Sequence, residues 1–416
     1  MSIINKKKII NDPVYGFINI TDEIIFDIIE HPYFQRLRRI KQLGLSHLVY
    51  PSAVHSRFSH ALGAMYLMGE ALLYLQQKGH IITAEELKAA RIAILLHDIG
   101  HGPFSHTLEY SIIKNVSHEQ VSLLFMEALN KEFDGKLEMA IAIFKDEYHK
   151  HFLHQLVSSQ LDVDRLDYLR RDSFFTGVSE GVIGTQRILK MLEVVDDRIV
   201  VERKGIYSIE NFLNSRRIMY WQVYLHKTVL GAEHLLMNIL KRAKEVYYTD
   251  KNLWTTPALK FFLANEVDAN SFNNDSKIIN KYSLLDDYDI LSSIKVWAQY
   301  ANDVVLKDLS SRLINRNFFR IEFSDKKFSN SDITKYRETA MLELNITKKD
   351  SEYYVFADHT SNYLYSDSNG SIDILEKNGN IKNIGEVSEQ LSVSKLKKTI
   401  TKHFLCYPKN LNIIIE

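Results

Sequence analysis

A single cysteine, Cys406, stands in 416 residues, so no disulfide can close within the chain and no thiolate cluster can hold a metal. Any metal must rest on imidazoles and carboxylates. No run approaches the ~18 consecutive apolar residues that a membrane-crossing helix needs. The first ten residues carry lysines but no apolar stretch, which argues against a secretory signal and makes the cytoplasm the expected compartment. Neither sign of charge dominates. Lys plus Arg and Asp plus Glu both number 52, so the chain lacks the global basic field of a generic nucleic-acid binder. A local basic patch is compatible with that balance, so nucleic acid is possible as a partner but not indicated. Internal repeats and long low-complexity segments are absent too. What is left is an ordinary globular composition, 45% hydrophobic and 25% charged, long enough for about two or three domains.

The densest chemical signal is Leu95-Leu96-His97-Asp98-Ile99-Gly100-His101-Gly102-Pro103-Phe104-Ser105-His106. An apolar run from Ala89 to Leu96 delivers an adjacent His-Asp pair, and Gly100, Gly102 and Pro103 stop the helix there. Imidazole and carboxylate are common metal ligands. Such a pair at the buried end of an apolar helix is costly unless something charged neutralises it. The same residues could instead cap a helix C-terminus as solvated histidines.

Upstream, Asn11-Asp12-Pro13-Val14-Tyr15-Gly16 reads as a turn before a short strand, Phe17 to Ile20. A helix capped by Thr21 or Asp22 runs to about Ile29 and breaks at His31-Pro32. Phe34, Leu37, Ile40 and Lys41 follow at helical spacing. The interleaved Arg36, Arg38 and Arg39 are either a solvated face or an anion site. Val54 to His60 opens a densely apolar helix, with Arg57 and His60 on one face. His60 there is either a hydrogen-bonded core histidine or a ligand. Ser117 and Gln120 form a capping box that sets His118 in the first helical turn, where the dipole favours the neutral, basic imidazole.

Leu161 to Asp172 loads one helical face with Asp164, Asp167 or Tyr168, Arg171 and Asp172. Such a face is usually solvated, but Asp162, Asp164 and Asp167 crowd it with carboxylates whose repulsion a cation would relieve. Val194 to Val201 reads as a β-hairpin on a helical body. Helices are expected from Ile209 to about Tyr247, a polar loop over 270–276, and helices again to about Arg320. Beyond it, Tyr353 to Phe356, Asn362 to Tyr365 and Ile372 to Leu375 read as strands. Asn378-Gly379 signals a type I′ turn, and Lys395 to Phe404 reads as a helix. The expected fold is mainly α: a helical core over 1–320 with a short hairpin, and a small α+β lobe over 321–416.

His60, His97-Asp98 and Asp164 together resemble the H…HD…D pattern of HD-domain phosphohydrolases. The resemblance extends through Asn11 to Gly16, Phe34 to Gly44, Ser56 to His60, His97 to His106, His118-Glu119-Gln120 and Asp162 to Tyr168. That ordered set is similar to the deoxynucleoside triphosphate triphosphohydrolases, which include bacterial dGTPases and the sterile-alpha-motif HD enzymes. It covers residues from about 8 to about 320, and no sterile-alpha-motif domain precedes it here. The resemblance implies an HD-type helical bundle in which His60, His97, Asp98 and Asp164 hold a divalent transition metal, Fe, Mn or Zn, with Mg accompanying the nucleotide phosphates.

The roles implied by the resemblance follow residue by residue. His118 acts at the α-phosphate as acid, base or nucleophile, oriented by Glu109, where some members carry Asp. His101 and His106 touch the α-phosphate region. Arg57, Arg165 (Lys in several relatives), Arg216 and Lys227 hold phosphates. Gln42 and Asp172 read the sugar 3′-hydroxyl, Leu43 and Tyr168 crowd the 2′ position, and Tyr224 lines the nucleoside pocket. Lys8, Asn11, Glu30, Gln35 and Arg38, with Arg316 and Arg320 far along the chain, match an activating-nucleotide site assembled between copies in allosteric members. Glu30 replaces the Asp of the best-known guanine-reading members. The expected partners are therefore a dNTP substrate, an activating nucleotide and further copies of the chain, in a dimer or tetramer. The expected reaction is dNTP plus water to deoxynucleoside and triphosphate. The rivals are another HD phosphohydrolase, acting on an alarmone, a cyclic nucleotide or a nucleoside monophosphate, and a non-catalytic nucleotide sensor. Ile99-Gly100 stands where alarmone hydrolases typically carry a Glu-Asp step.

Overall fold

The computed structural model describes residues 7–104, 113–114, 116–274, 276–362, 371–389 and 400–411. The chain opens with an antiparallel hairpin, Lys8–Asp12 against Gly16–Ile20, in register from Lys8 opposite Ile20 to Asp12 opposite Gly16. Asp12 Oδ1 accepts the Val14 and Tyr15 amides, which fixes the turn and leaves Oδ2 for another partner. Helix Glu23–Glu30 follows, capped by Asp22, and stops where His31 precedes Pro32. Phe34 and Leu37 are buried in the short helical turns Pro32–Gln35 and Arg36–Arg39.

The central element is helix Arg57–Gln77, buried on most of its circumference by Phe58, Leu62, Met65, Met68, Leu72 and Leu75. Helices Ala84–Leu96 and Val163–Thr176 pack against it. The first starts at a reciprocal Thr83–Glu86 capping box, so its register is set and its apolar end at Leu96 points into the core. The second is capped by Asp162 and ends at Gly177, whose φ of 74° is left-handed. The expected Ser117–Gln120 box caps helix His118–Glu132. Helices Ile206–Met219 and Lys227–Thr249 are separated by a wider turn, Tyr220–Tyr224, and His226 caps the second. Helices Asp287–Tyr300 and Val304–Ile314 pack on each other, with Trp297 buried and its indole N–H donating to the Trp254 carbonyl.

The expected hairpin is present as Leu192–Val195 and Arg198–Glu202, with Asp196 and Asp197 both at positive φ, as a type I′ turn requires. The chain beyond residue 320 contributes to two sheets. Strand Ile400–Tyr407 lies between Arg320–Ser324 and Phe356–Asn362, antiparallel to both. The hairpin Asp373–Leu375 and Ile381–Asn383 joins the earlier one instead, with Val201 and Glu202 pairing in parallel with Ile374 and Leu375. One buried cluster runs through the helical body and includes Ile374, Phe404 and Cys406.

Four local expectations change. Ile400–Phe404 is strand rather than helix because both of its edges are hydrogen-bonded to neighbours; residues 395–399 lie outside the described residues. Tyr353 to Val355 form a turn, since the Tyr354 and Val355 amides donate back to Ser351, and the strand starts at Phe356. Residues 363–365 are outside the described set. The Asn378-Gly379 turn is a longer loop, closed by Glu376, in which Gly379 alone has positive φ. Of the polar stretch 270–276, residues 270–274 belong to helix Ala269–Asn274 and Ser276 begins helix Ser276–Tyr282, residue 275 lying outside the described residues.

Beneath the helices, Arg171 is fully buried and joins the N-terminal hairpin to the core. It donates to Asp12 Oδ2 at 2.7 Å and to both oxygens of Asp167, at 2.9 and 3.0 Å. Gly63 on the central helix makes room for that pair: a Cβ there would stand 2.0 Å from Asp167 Oδ1 and 2.2 Å from an Arg171 nitrogen. Breaking a buried pair costs about 3–5 kcal/mol. Gly63→Ala is therefore expected to lower unfolding free energy by about that amount in urea titration. A change within about 0.5 kcal/mol, the range of a surface substitution, would show that the network tolerates the methyl group.

Candidate active site

Three helices bring their ends to one place. Helix Ala84–Leu96 stops at His97, whose Nδ1 lies 2.6 Å from the Ile94 carbonyl. That contact puts the proton on Nδ1 and turns the Nε2 lone pair inward. His60, on the first turn of the central helix, is held the same way, its Nδ1 lying 2.7 Å from Asp167 Oδ2. Asp164, on the first turn of helix Val163–Thr176, places Oδ1 at 3.0 Å from His60 Nε2 and 3.3 Å from His97 Nε2. Asp98 Oδ1 lies 3.3 Å from His97 Nε2, and Oδ2 lies 3.7 Å from His60 Nε2 and pairs with Arg57.

Both Nε2 atoms are buried and make no hydrogen bond. Two orphaned imidazole nitrogens facing two carboxylates form a donor set that a borderline divalent cation satisfies. The electrostatics agree. Burial alone would push the His60 imidazole down, but the carboxylates of Asp164 and Asp167 reverse this and hold it up at about 10. His97 is raised as well, with Asp98 and Asp164 outweighing burial. Burial likewise opposes the charges of Asp98 and Asp164, and the neighbouring histidines, with Arg57 beside Asp98, keep both carboxylates below the usual range. The pocket thus selects positive charge, which a proton supplies weakly and a metal strongly.

Beside this cluster, His101 and His118 stack with ring centroids 3.8 Å apart. Burial and the Arg57 charge push His101 down to about 3, so it is neutral near pH 7. Their pairing depends on Gly100, where a Cβ would stand 2.3 Å from both the His118 carbonyl and the Ser122 amide. Ser122 stitches the two elements together, accepting from the Gly100 amide and donating to the His97 carbonyl. Arg36 is not solvated: it is buried between the Phe125 and Tyr282 rings and donates twice to the His101 carbonyl. Asp287 accepts the Lys41 and Phe104 amides, joining two walls of the adjoining cavity.

That cavity holds ≈530 Å³. On one side it is lined by Arg57, Asp98, His101, His118, Asp164 and Arg165, and on another by Gln42, Leu43, Tyr168, Asp172 and Tyr224. Asp172 is braced by His55 Nε2 at 2.7 Å and by the Tyr224 hydroxyl, which donates at 2.8 Å. Arg165 is steered by the Ser159 carbonyl and by Asp162, at 3.3 Å.

Not every expected residue arrives. Arg216 is buried but does not line the cavity; it donates to Gln160 Oε1. Lys227 lines a separate cleft of ≈340 Å³ with Arg320 and Lys409. His106 and Glu109 lie outside the described residues. Of the activator set, Lys8 pairs with Glu30, and Gln35 accepts from Arg38, which stacks on Phe58. Asn11 lies in the N-terminal hairpin, and Arg316 donates to the Leu48 carbonyl. The structure also supplies residues the sequence reading left without a role. Asp167 orients His60, His55 braces Asp172, and Gly44, Phe104, Tyr220 and Glu233 complete the cavity wall. For Asp167 the signal was there: it sits one turn after Asp164 and one turn before Arg171.

Comparison with known proteins gives a consistent picture. The HD domain model matches residues 57–172 and the HD associated region matches 183–255. The uncharacterized protein YwfO of Bacillus subtilis is 33% identical over 98% of this chain and 94% of its own. A deoxynucleoside triphosphate triphosphohydrolase SAMHD1 homolog of Dictyostelium discoideum is 32% identical over 57% of this chain, which spans half of that protein's length. A crystal structure of a phosphohydrolase from Bacteroides thetaiotaomicron superposes with a TM-score of 0.94 at 53% identity, covering 96% of this chain and 99% of that one. No helix among the described residues is long and apolar enough to cross a membrane.

Asp167 touches His60 from behind, and loss of such a partner typically weakens metal binding about 10–100-fold. Asp167→Asn is expected to show that loss in a chelator competition, while Asp164→Ala, which removes a facing carboxylate, retains little metal at all. Unchanged metal content in Asp164→Ala would remove that helix face from the site.

Proposed function

Because the chain belongs to the HD-domain phosphohydrolases that carry the HD associated region, we propose that it is a dNTP triphosphohydrolase, releasing deoxynucleoside and intact triphosphate. The observation that carries this reading is the continuity of one cavity from the His-Asp cluster to the Gln42, Leu43, Tyr168 and Asp172 wall. A phosphate site alone would serve any HD phosphohydrolase. A carbon-lined wall beside a braced carboxylate is what a deoxyribose needs.

His60, His97 and Asp164 converge closely enough to hold one divalent transition metal, with Asp98 3.3 Å from His97 Nε2 as the fourth ligand of the reading, while Asp98 also groups with His101 and His118. When bound, such a metal supplies Lewis-acid polarisation of the α-phosphoryl oxygen and a more acidic water. The residues of the chain do the rest. Arg57 and Arg165 offset the roughly four negative charges of the triphosphate. His101, neutral and hydrogen-bonded to Asp98, stacks on His118 and holds that ring beside the α-phosphate. Water adds to the α-phosphorus and the bond from phosphorus to O5′ breaks. His118 Nε2 gives a proton to O5′ as the deoxynucleoside leaves, and the proton that the attacking water loses restores it. Leu43 and Tyr168 pack where a 2′-hydroxyl would project, so ribonucleotides are excluded sterically.

Activation by a second nucleotide belongs to the same reading. Arg38 and Arg316 are both exposed, Arg38 on the Phe58 ring and Arg316 at the Leu48 carbonyl, and a site joining such residues of different copies would couple binding to assembly.

Metal-loaded protein incubated with each dNTP and NTP, singly and in pairs, tests these statements by release of nucleoside and triphosphate. dGTP is expected to be consumed and GTP spared; equal hydrolysis of the two would move the reading to another HD phosphohydrolase. His118→Ala should keep its metal and lose about 10²–10⁴-fold in turnover. Arg38→Ala should abolish stimulation of one dNTP by another without loss of metal. Hyperbolic kinetics with no cross-stimulation in the parent protein would leave Arg38 and Arg316 as surface residues.

A further inference from the structure

Two polar residues of the cavity wall away from the His-Asp cluster, Gln42 and Asp172, are tied to one residue behind them. Asp172 Oδ1 lies 2.7 Å from His55 Nε2, and the Gln42 amide donates to the His55 carbonyl at 3.0 Å. His55 is not among the described residues that line the cavity. Its imidazole is buried and stacks on Phe175, with centroids 4.5 Å apart and planes 15° from parallel. A carboxylate only accepts, so Nε2 carries the proton of the bond to Asp172. Nδ1 is buried and has no hydrogen-bond partner among the described residues. The ring therefore has one polar contact there, and it is Asp172. The backbone around it is pinned as well: Lys41 pairs with Ser56 in an antiparallel bridge, and the Arg57 amide donates to the Ile40 carbonyl. The same short segment continues into Arg57 and His60, so this wall is held in register with the phosphate and metal end of the site.

Resting on the dNTPase reading, we propose that His55 is the positioning residue through which the cavity selects a free 3′-hydroxyl. A deoxynucleoside 5′-triphosphate has a single sugar hydroxyl, at C3′: C1′ carries the base, C5′ the phosphates and C2′ only hydrogen. Asp172 is arranged to accept that hydroxyl's proton. Each of its oxygens takes one donor, His55 Nε2 on Oδ1 and the Tyr224 hydroxyl on Oδ2, which holds the group against rotation and leaves a further lone pair on each oxygen. Gln42 Oε1 is buried without a hydrogen bond among the described residues, so this amide too awaits a polar partner. A hydroxyl donates and accepts, and can satisfy a carboxylate and an amide at once. A 3′-deoxy sugar satisfies neither and leaves both groups desolvated and unpaired, the condition under which a site rejects an analogue most strongly. Without the Nε2 donor, Asp172 Oδ1 faces an apolar ring and the carboxylate is free to turn. The selection is then lost although no group touching the substrate has changed.

The test is an internal competition between each dNTP and its 2′,3′-dideoxy analogue, mixed in equal amounts with the metal-loaded full chain. Both members of a pair share one enzyme and one activation state, so relative rates of disappearance give relative kcat/KM. The parent protein is expected to consume the dNTP about 10- to 100-fold faster, the loss expected for a hydrogen bond to a charged group. His55→Gln sets an amide N–H near the Nε2 position and is expected to keep most of that ratio. His55→Asn carries the same amide too short to reach Asp172, and His55→Phe keeps a ring on Phe175 without a donor. Both are expected to bring the ratio to within about threefold of unity by slowing the dNTP, with metal content unchanged. Equal consumption of the two nucleotides by the parent protein overturns the proposal without a variant. An equal fall for both nucleotides in His55→Asn and His55→Phe, with the ratio preserved, makes His55 a structural support of the wall and overturns it as well. Loss of the ratio in His55→Gln too assigns the effect to the ring rather than to its N–H, which also overturns it. If the parent protein consumes neither member of any pair, the dNTPase reading fails, and the proposal fails with it.

Discussion

The buried chain of charge from Asp12 through Arg171 and Asp167 to His60 is the constraint on which the rest depends. A guanidinium with no exposed surface is expensive to bury, and here two carboxylates and a tight fit against Gly63 compensate it. The consequence reaches the site. Asp167, pinned by Arg171, fixes the tautomer and the orientation of His60. Because the N-terminal hairpin supplies Asp12, a segment far from His60 in sequence sets how rigidly that ring is held. Such a network is valuable for geometry rather than for net stability, since apolar residues of the same volume could do as well energetically.

A second consequence is electrostatic. Three helices deliver imidazoles and carboxylates to one buried point, and the group they select must be positive. Burial and the Arg57 charge keep the neighbouring His101 neutral against the pull of Asp98, whose Oδ1 lies 3.2 Å from His101 Nε2. One small region thus holds a cation-binding half and a stacked imidazole pair, His101 with His118, with Asp98 and Arg57 between them. That division of labour needs the glycine at 100, without which helix His118–Glu132 could not approach the His97 turn.

Much of this was legible in the sequence because it is local. The helix stop at His97, the capping boxes at Thr83 and Ser117 and the carboxylate face from Asp162 to Asp172 each follow from residues within a turn or two. That His60, His97, Asp98 and Asp164 should meet was expected through resemblance to a family, and the structure brings them together. What the sequence hid was set by contacts between distant segments. Ile400–Phe404 is a strand only because Arg320–Ser324 and Phe356–Asn362 flank it. Arg36 is buried rather than solvated because the His101 carbonyl and two rings come from other helices. Lys227 matched a phosphate-binding position by motif, yet the turn Tyr220–Tyr224 and the cap at His226 direct it to a different cleft.

In the proposed reaction water attacks the α-phosphorus and O5′ departs with the deoxynucleoside. Hydrolysis of dGTP in ¹⁸O-enriched water, with mass analysis of the products, tests it most directly. That course puts one ¹⁸O atom in the triphosphate and none in the deoxynucleoside. Label in the deoxynucleoside, or release of dGMP with pyrophosphate, would contradict it.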